Sequence, residues 1–330
     1  MLHIPFASRP VRFVRHTLIV AALLTPLGCP PPVHTTPPPA ASSAKVVALA
    51  GASIMIGAGD IAGCGSRASE GTAMVVDSVL RADSVAKVED AVFTLGDNAY
   101  MLGSTADFTN CFAPTWGDTK KRIMKRIHPA PGNHDYYTAG AGPYYRFFGA
   151  ASGPPGKGYY SYDVGKWHVI SLNSEILMTG TWTSAERQAQ VDWLAKDLKD
   201  HPTLCTLAYW HHPLFSSGWH GSDRRLAPIW RLLYDNGVDL VLNGHDHDYE
   251  RFLPQTPDGI ADSTRGITEI IAGTGGESLR GFEATIVRNS AARIQGHTGV
   301  LLLALGGGEY RSAFLEANGT VWDPSGGKCH

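Results

Sequence analysis

Five times along this chain a short run that reads as a β-strand ends in residues able to hold a metal ion, and this recurrence limits the fold more than any other feature. Ser53-Ile54-Met55-Ile56-Gly57-Ala58 leads to Gly59-Asp60, and Ala91-Val92-Phe93-Thr94-Leu95 leads to Gly96-Asp97. Residues 126–131 lead to Gly132-Asn133-His134-Asp135, and Thr206-Leu207-Ala208-Tyr209-Trp210 leads to His211-His212-Pro213. Val238-Asp239-Leu240-Val241-Leu242 ends at Asn243-Gly244-His245-Asp246-His247. Apolar runs of this length read as buried strands, and open α/β sheets hold ligands beyond the carboxyl ends of their strands. Taken singly, an Asp at a strand exit serves as a turn or helix cap, and a His-x-His pair is only a polar exit. Five such exits imply one shared site.

Other segments read as scaffold. A helix is expected over 72–82, from the spacing of Met74, Val75, Val79 and Leu80. Thr183-Ser184-Ala185-Glu186 fits a capping box that opens a helix with Val191, Leu194, Ala195 and Leu198 on one face. A further helix over 224–234 stops at Asn236-Gly237. The run Trp167-His168-Val169-Ile170-Ser171-Leu172 reads as part of a second sheet, with His168 packed rather than catalytic. Runs at 268–272, 300–305 and 309–315 complete the strands.

The 330 residues suit one large domain or two small ones. A formal charge of −2 excludes a nucleic-acid binder that relies on a general basic field. At the amino terminus Arg9, Arg12 and Arg15 precede an apolar stretch over 17–27 and then Gly28-Cys29, the pattern of an export signal. Leu27-Gly28-Cys29 resembles the end of a bacterial lipobox, although Pro26 departs from it, so a lipidated Cys29 and membrane attachment are expected, with ordinary cleavage as the alternative. Residues 1–28 are read as the leader, 29–44 as a stiff proline-rich tether and 45–330 as one catalytic domain. Losing three arginines and no acid with the leader takes the formal charge from −2 to −5. Cys64, Cys111, Cys205 and Cys329 remain, an even number that suggests two disulfides in an oxidising compartment. Their count allows three pairings. Cys64 and Cys111 both follow strand exits whereas Cys205 precedes its strand, which favours Cys64 with Cys111 and Cys205 with Cys329.

Asp60, Asp97, Asn133, His211, His245 and His247 form a mixed oxygen and nitrogen set, suited to two adjacent ions rather than one structural zinc. With Tyr100, three residues after Asp97, the ordered blocks resemble those of calcineurin-like metallophosphoesterases. Tyr100 and the Tyr249-Glu250-Arg251 extension resemble purple acid phosphatases in particular, of the small bacterial type without an amino-terminal β-sandwich. The resemblance implies a four-layer α/β/β/α sandwich of two mixed sheets flanked by helices. It also implies that Asp60, Tyr100 and His247 bind ferric iron, that Asn133, His211 and His245 bind a divalent ion (iron, zinc or manganese), and that Asp97 bridges. His134 and His220 are expected to face the phosphate, while His212 either joins them or turns inward beside His211.

Such a pair of ions generates a nucleophile from water near neutral pH or below, so the expected activity is hydrolysis of small-molecule phosphomonoesters by an exported, acid phosphatase-like enzyme. The site remains positive in an acidic protein, because the ions outweigh Asp60, Asp97 and an ionised Tyr100. The rivals are a phosphodiesterase or nucleotidase with the same metals, and a lipoprotein that binds metal or phosphate without turnover.

Overall fold

Each apolar run forms a strand whose alternate side chains face opposite ways, and that alternation sets up the layers. The computed structural model describes residue 47, residues 49–178, residue 180 and residues 183–330. These lie in one of the chain's two compact units, Pro37–His330. The other, Met1–Thr36, falls outside the described residues, as do the expected leader, Cys29 and the tether.

The strands are β1 (Ser53–Ala58), β2 (Asp90–Leu95), β3 (Ile127–Ala130), β4 (Tyr160–Val164), β5 (Trp167–Ser171), β6 (Cys205–Tyr209) and β7 (Leu240–Asn243). Then follow β8 (Tyr249–Phe252), β9 (Thr268–Ala272), β10 (Ser290–Ile294), β11 (Gly299–Leu305), β12 (Glu309–Glu316) and β13 (Val321–Lys328). One sheet has the order β13-β12-β11-β1-β2-β3 and the other β10-β8-β9-β7-β6-β5-β4. β1, β2 and β3 run parallel, as do β5, β6, β7 and β9. The ligand-bearing exits of each sheet therefore share one end of it.

Between the sheets, Met55, Phe93, Leu301 and Leu303 of the first meet Leu207, Tyr209, Leu240 and Leu242 of the second. Ile54, Ile56, Val92 and Leu302 face outward onto Val75, Val76, Val79 and Leu80 of α1 (Arg67–Ala86). Two short helices lie near the strand exits, α2 (Asn133–Tyr137) and α3 (Ser174–Met178). Ile170, Ala208, Val241 and Ile271 pack against α4 (Ser184–Asp200) and α5 (Ala227–Asp235) through Leu194, Ile229, Trp230 and Leu233. This is the expected four-layer sandwich of two mixed sheets.

Three details differ from the sequence reading. Helix α1 starts at Arg67 rather than 72, because Ser66 Oγ accepts from the Ala68 amide at 3.2 Å and caps a first turn that is largely polar. Helix α4 opens on the expected capping box, with Thr183 Oγ1 accepting from the Glu186 amide and Glu186 Oε2 from that of Thr183. Its inner face, however, carries Gln190 and Asp197 beside Leu194 and Leu198, while Ala195 is exposed. Gln190 is held inside because its amide bonds the Asn173 backbone in both directions, at 2.8 and 3.0 Å. The third difference is that β10 and β13, which have no apolar run, each form one edge of a sheet, and at the β13 edge Pro324 displaces no interior hydrogen bond.

Cys64 bonds Cys111, and Cys205 bonds Cys329. The second bridge ties the start of β6 to the chain's last residues across 124 positions. Non-reducing peptide mapping is expected to recover these two pairs. Cys329→Ser should lower the unfolding free energy in urea by about 2–5 kcal/mol, the usual effect of removing a long-loop disulfide.

Candidate metal centre

The strand exits bring together residues that the chain separates by up to 187 positions, Asp60 to His247, and they do so through a strained backbone. Asp60, Asp97 and His245 adopt left-handed φ values of 59°, 50° and 70°. Non-glycine residues take such angles where surrounding structure imposes them, commonly at functional sites. Gly96 (φ 84°) must lack a side chain as well, since a Cβ there would lie 2.6 Å from His211 Nδ1. The turns also anchor the carboxylates: Asp60 Oδ2 accepts from the His245 amide at 2.9 Å and Asp97 Oδ1 from the His134 amide at 2.8 Å.

Each remaining carboxylate oxygen faces a cluster. In the first, Tyr100 Oη lies 2.8 Å from Asp60 Oδ1, 3.0 Å from Asp97 Oδ2 and 3.3 Å from His247 Nε2. In the second, His211 Nε2 lies 3.1 Å from Asn133 Oδ1, 3.3 Å from Asp97 Oδ2 and 3.2 Å from His245 Nδ1. Asp97 belongs to both. Asp60, Asp97 and His211 place donor atoms within 4.8 Å of one another, as do His211, His212 and His245.

These donor sets fit metal ions, and the hydrogen bonds show why. His211 Nδ1 donates to the Leu95 carbonyl at 2.7 Å, and His247 Nδ1 donates to that of Ser278 at 2.6 Å. The Nε2 lone pair of each neutral ring then points at carboxylate or amide oxygens, which are also acceptors. Tyr100 has one proton and faces two buried carboxylates. A cation satisfies such a set, whereas apolar packing does not. Protons relieve part of the conflict: burial disfavours the His211 cation, but Asp97 overrides it and raises the imidazole to about 10. Burial, then Asp60 and Asp97, push the Tyr100 phenol well above its ordinary range.

The outer histidines sit beside the clusters. The His134 ring lies 4.3 Å from that of Tyr100, and its Nδ1 donates to the Met101 carbonyl. His220 stacks on His245 at 4.1 Å. His212 is buried, its ring 4.3 Å from His245, with Nδ1 2.8 Å from Ser174 Oγ and Nε2 3.6 Å from Glu175 Oε1. A cavity of about 770 Å³ opens beside Asn133 and His212, lined also by Tyr136, Tyr137 and Arg225.

Sequence reasoning passed over the residues that hold these groups in place. Asp135 accepts from the Gly132 amide and from Asn98 Nδ2, both at 2.9 Å, and so pins the turns after β2 and β3 together. Burial, with the nearby Asp97 charge, pushes its carboxyl up to about 7. Asp246 Oδ1 accepts from the His220 amide at 2.7 Å and lies 3.2 Å from His220 Nδ1. The available signals were the place of Asp246 between two candidate ligands and that of Asp135 directly after Asn133-His134.

A four-layer sandwich with buried acceptors gathered where two sets of parallel strands end is the architecture of a metallophosphoesterase. The chain belongs to the calcineurin-like phosphoesterase family, whose sequence profile matches residues 58–249. It is 29% identical to human acid phosphatase type 7 in an alignment 253 positions long that covers 66% of this chain and 55% of that protein. It is 27% identical to purple acid phosphatase 15 of Arabidopsis thaliana in an alignment 195 positions long that covers 49% of this chain and 36% of the relative. The chain thus spans about half or less of the length of these relatives. A purple acid phosphatase from yellow lupin seeds shares the fold, with a TM-score of 0.63 at 18% identity over 84% of this chain and 54% of that one.

Because Asp97 is shared by both clusters, Asp97→Ala is expected to lose both ions of this centre from protein loaded with iron and zinc and to abolish any phosphoester hydrolysis. Elemental analysis after dialysis, alongside a steady-state assay, checks this.

Proposed function

We propose that this chain is an exported phosphomonoesterase of purple acid phosphatase type. The observation that carries the reading is the pair of acceptor clusters joined at Asp97, with His134 and His220 beside them. In this reading Asp60, Tyr100 and His247 hold a ferric ion, Asn133, His211 and His245 hold a divalent ion, and Asp97 serves both. The ions would supply positive charge against the phosphate and lower the pKa of a water nucleophile.

The remaining chemistry belongs to the chain. His134 is fixed through Nδ1 by the Met101 carbonyl, which leaves Nε2 for a phosphate oxygen. His220, oriented by Asp246 through Nδ1, presents Nε2 from the other side. In their charged forms both rings donate to equatorial oxygens, where negative charge grows in the transition state. His212, buried against Ser174 and Glu175, acts by supporting His245. The cavity beside Asn133 leaves room for the leaving group.

Two disulfides and the basic, then apolar, amino-terminal sequence support export. Lipidation of Cys29, the tether at 29–44 and a catalytic domain at 45–330 complete the proposal. Mass spectrometry of the mature amino terminus tests the lipid.

Three measurements test the enzyme. Turnover of an aryl phosphomonoester should exceed that of the matching diester; a strong diester preference would instead assign a phosphodiesterase. His220→Ala should keep both ions while turnover falls by about 10²–10³-fold, the typical loss on removing one transition-state donor. Phenol ionises near pH 10 in water, so a tyrosinate requires a strong Lewis acid such as ferric iron. Iron-loaded protein should therefore absorb visible light, and Tyr100→Phe should bleach it without unfolding. A colourless protein with two divalent ions and an unchanged Tyr100→Phe variant would overturn the purple acid phosphatase assignment.

A further inference from the structure

The polar residues on the inner face of α4 lead to a second cluster, away from the strand exits. Asp197 near the end of α4 and His201, four residues on at its C-cap, lie on one side of the helix. Both face His168 of β5. His168 Nε2 is 2.8 Å from Asp197 Oδ2, and His201 Nδ1 is 3.3 Å from Asp197 Oδ1. All three residues place a donor atom within 4.8 Å of the others.

The supporting groups are those that a metal site requires. Ligating histidines usually give their second ring N–H to a carboxylate, and ligating carboxylates are themselves hydrogen-bonded. Asp163 Oδ1 takes His168 Nδ1 at 3.0 Å from the paired strand β4, which directs Nε2 at Asp197. Ser161 Oγ donates to Asp197 Oδ1 at 2.7 Å. Ligands around a tetrahedral zinc, with bonds of about 2.0–2.2 Å, lie roughly 3.3 Å apart. The 3.3 Å separation of His201 from Asp197 matches that value, and the 2.8 Å contact of His168 with Asp197 is a hydrogen bond that an ion would lengthen. His168 is 2% exposed, whereas the His201 side chain is 47% exposed and forms the way in.

We propose that His168, Asp197 and His201 form a metal site distinct from the phosphoesterase centre, taking one zinc-like divalent ion. Two imidazoles and one carboxylate suit zinc, and water completes its coordination. His201 turns to reach the ion, giving up the 2.9 Å contact of Nδ1 with its own helix at the Asp197 carbonyl. The bound ion then clamps the end of α4 to β5. The competing arrangement is a proton on His168, shared with Asp163 and Asp197, in which His201 only stacks on the His168 ring at 4.5 Å.

Zinc counting distinguishes them. After dialysis against micromolar zinc at neutral pH, the wild-type chain is expected to retain one equivalent more than His201→Ala, and zinc should raise the melting temperature of the wild type more than that of the variant. The same one-equivalent difference is expected between Asp97→Ala and Asp97→Ala/His201→Ala, which removes ions at the phosphoesterase centre from the comparison. Asp163→Asn should weaken this zinc 10- to 100-fold, as for loss of an outer partner. Since His201 is half exposed, unchanged circular dichroism in metal-free buffer is expected of His201→Ala. Equal zinc counts with and without His201 would overturn the proposal.

Discussion

Acceptors that face acceptors at Asp97 are the constraint on which the rest of this structure depends. A buried carboxylate is tolerated when donors surround it, yet Asp97 has the His134 amide on one oxygen and, on the other, a Tyr100 hydroxyl whose one proton is shared with Asp60 and a His211 ring that donates only when doubly protonated, its Nδ1 proton already serving Leu95. Apolar substitution would remove the conflict and leave no site. The fold retains it, and the strain appears as left-handed angles at Asp60, Asp97 and His245. The histidines cannot turn away, because backbone carbonyls at Leu95 and Ser278 hold their other nitrogens.

That conflict can persist because the layers beneath are rigid. Gly57 and Gly96 allow approaches that no Cβ could share, the first against the Phe93 carbonyl and the second against His211. Asp135 then joins the two turns that carry Asp97 and Asn133, so the carboxylate and its neighbours shift together or not at all. A group held this way needs little reorganisation when charge develops nearby, which is the physical content of preorganisation.

The features legible in the sequence were those written as local pattern. Apolar runs marked β1, β2, β6, β7, β9, β11 and β12, because each is buried and packs by type rather than by partner. Candidate ligands were legible because they sit directly after such runs. What remained hidden is defined by distant partners. Strands β10 and β13 exist only because β8 and β12 offer an edge. The inward turn of Gln190 and Asp197 depends on Asn173, His168 and Ser161, which periodicity along one helix does not contain. Ala195 fits an apolar face by type and lies outside it by angle.

The Tyr249-Glu250-Arg251 extension shows how a motif can serve a site without entering it. Tyr249 Oη and Arg251 both bond Asp323, at 2.9 Å and 2.7 Å, and so fasten edge strand β13 across to β8 in the other sheet. Glu250 points the opposite way, as strand alternation requires, and accepts from the Ser217 amide at 2.7 Å. Ser217 belongs to the loop that delivers Trp219 and His220, and Asp246 grips the same loop at Ser216 and His220. One short stretch from His245 to Arg251 therefore offers donors to the centre, positions its outer histidine and joins the two sheets. Its residues are spaced so that successive side chains serve different layers, which is why the segment reads as one motif although only part of it touches the centre.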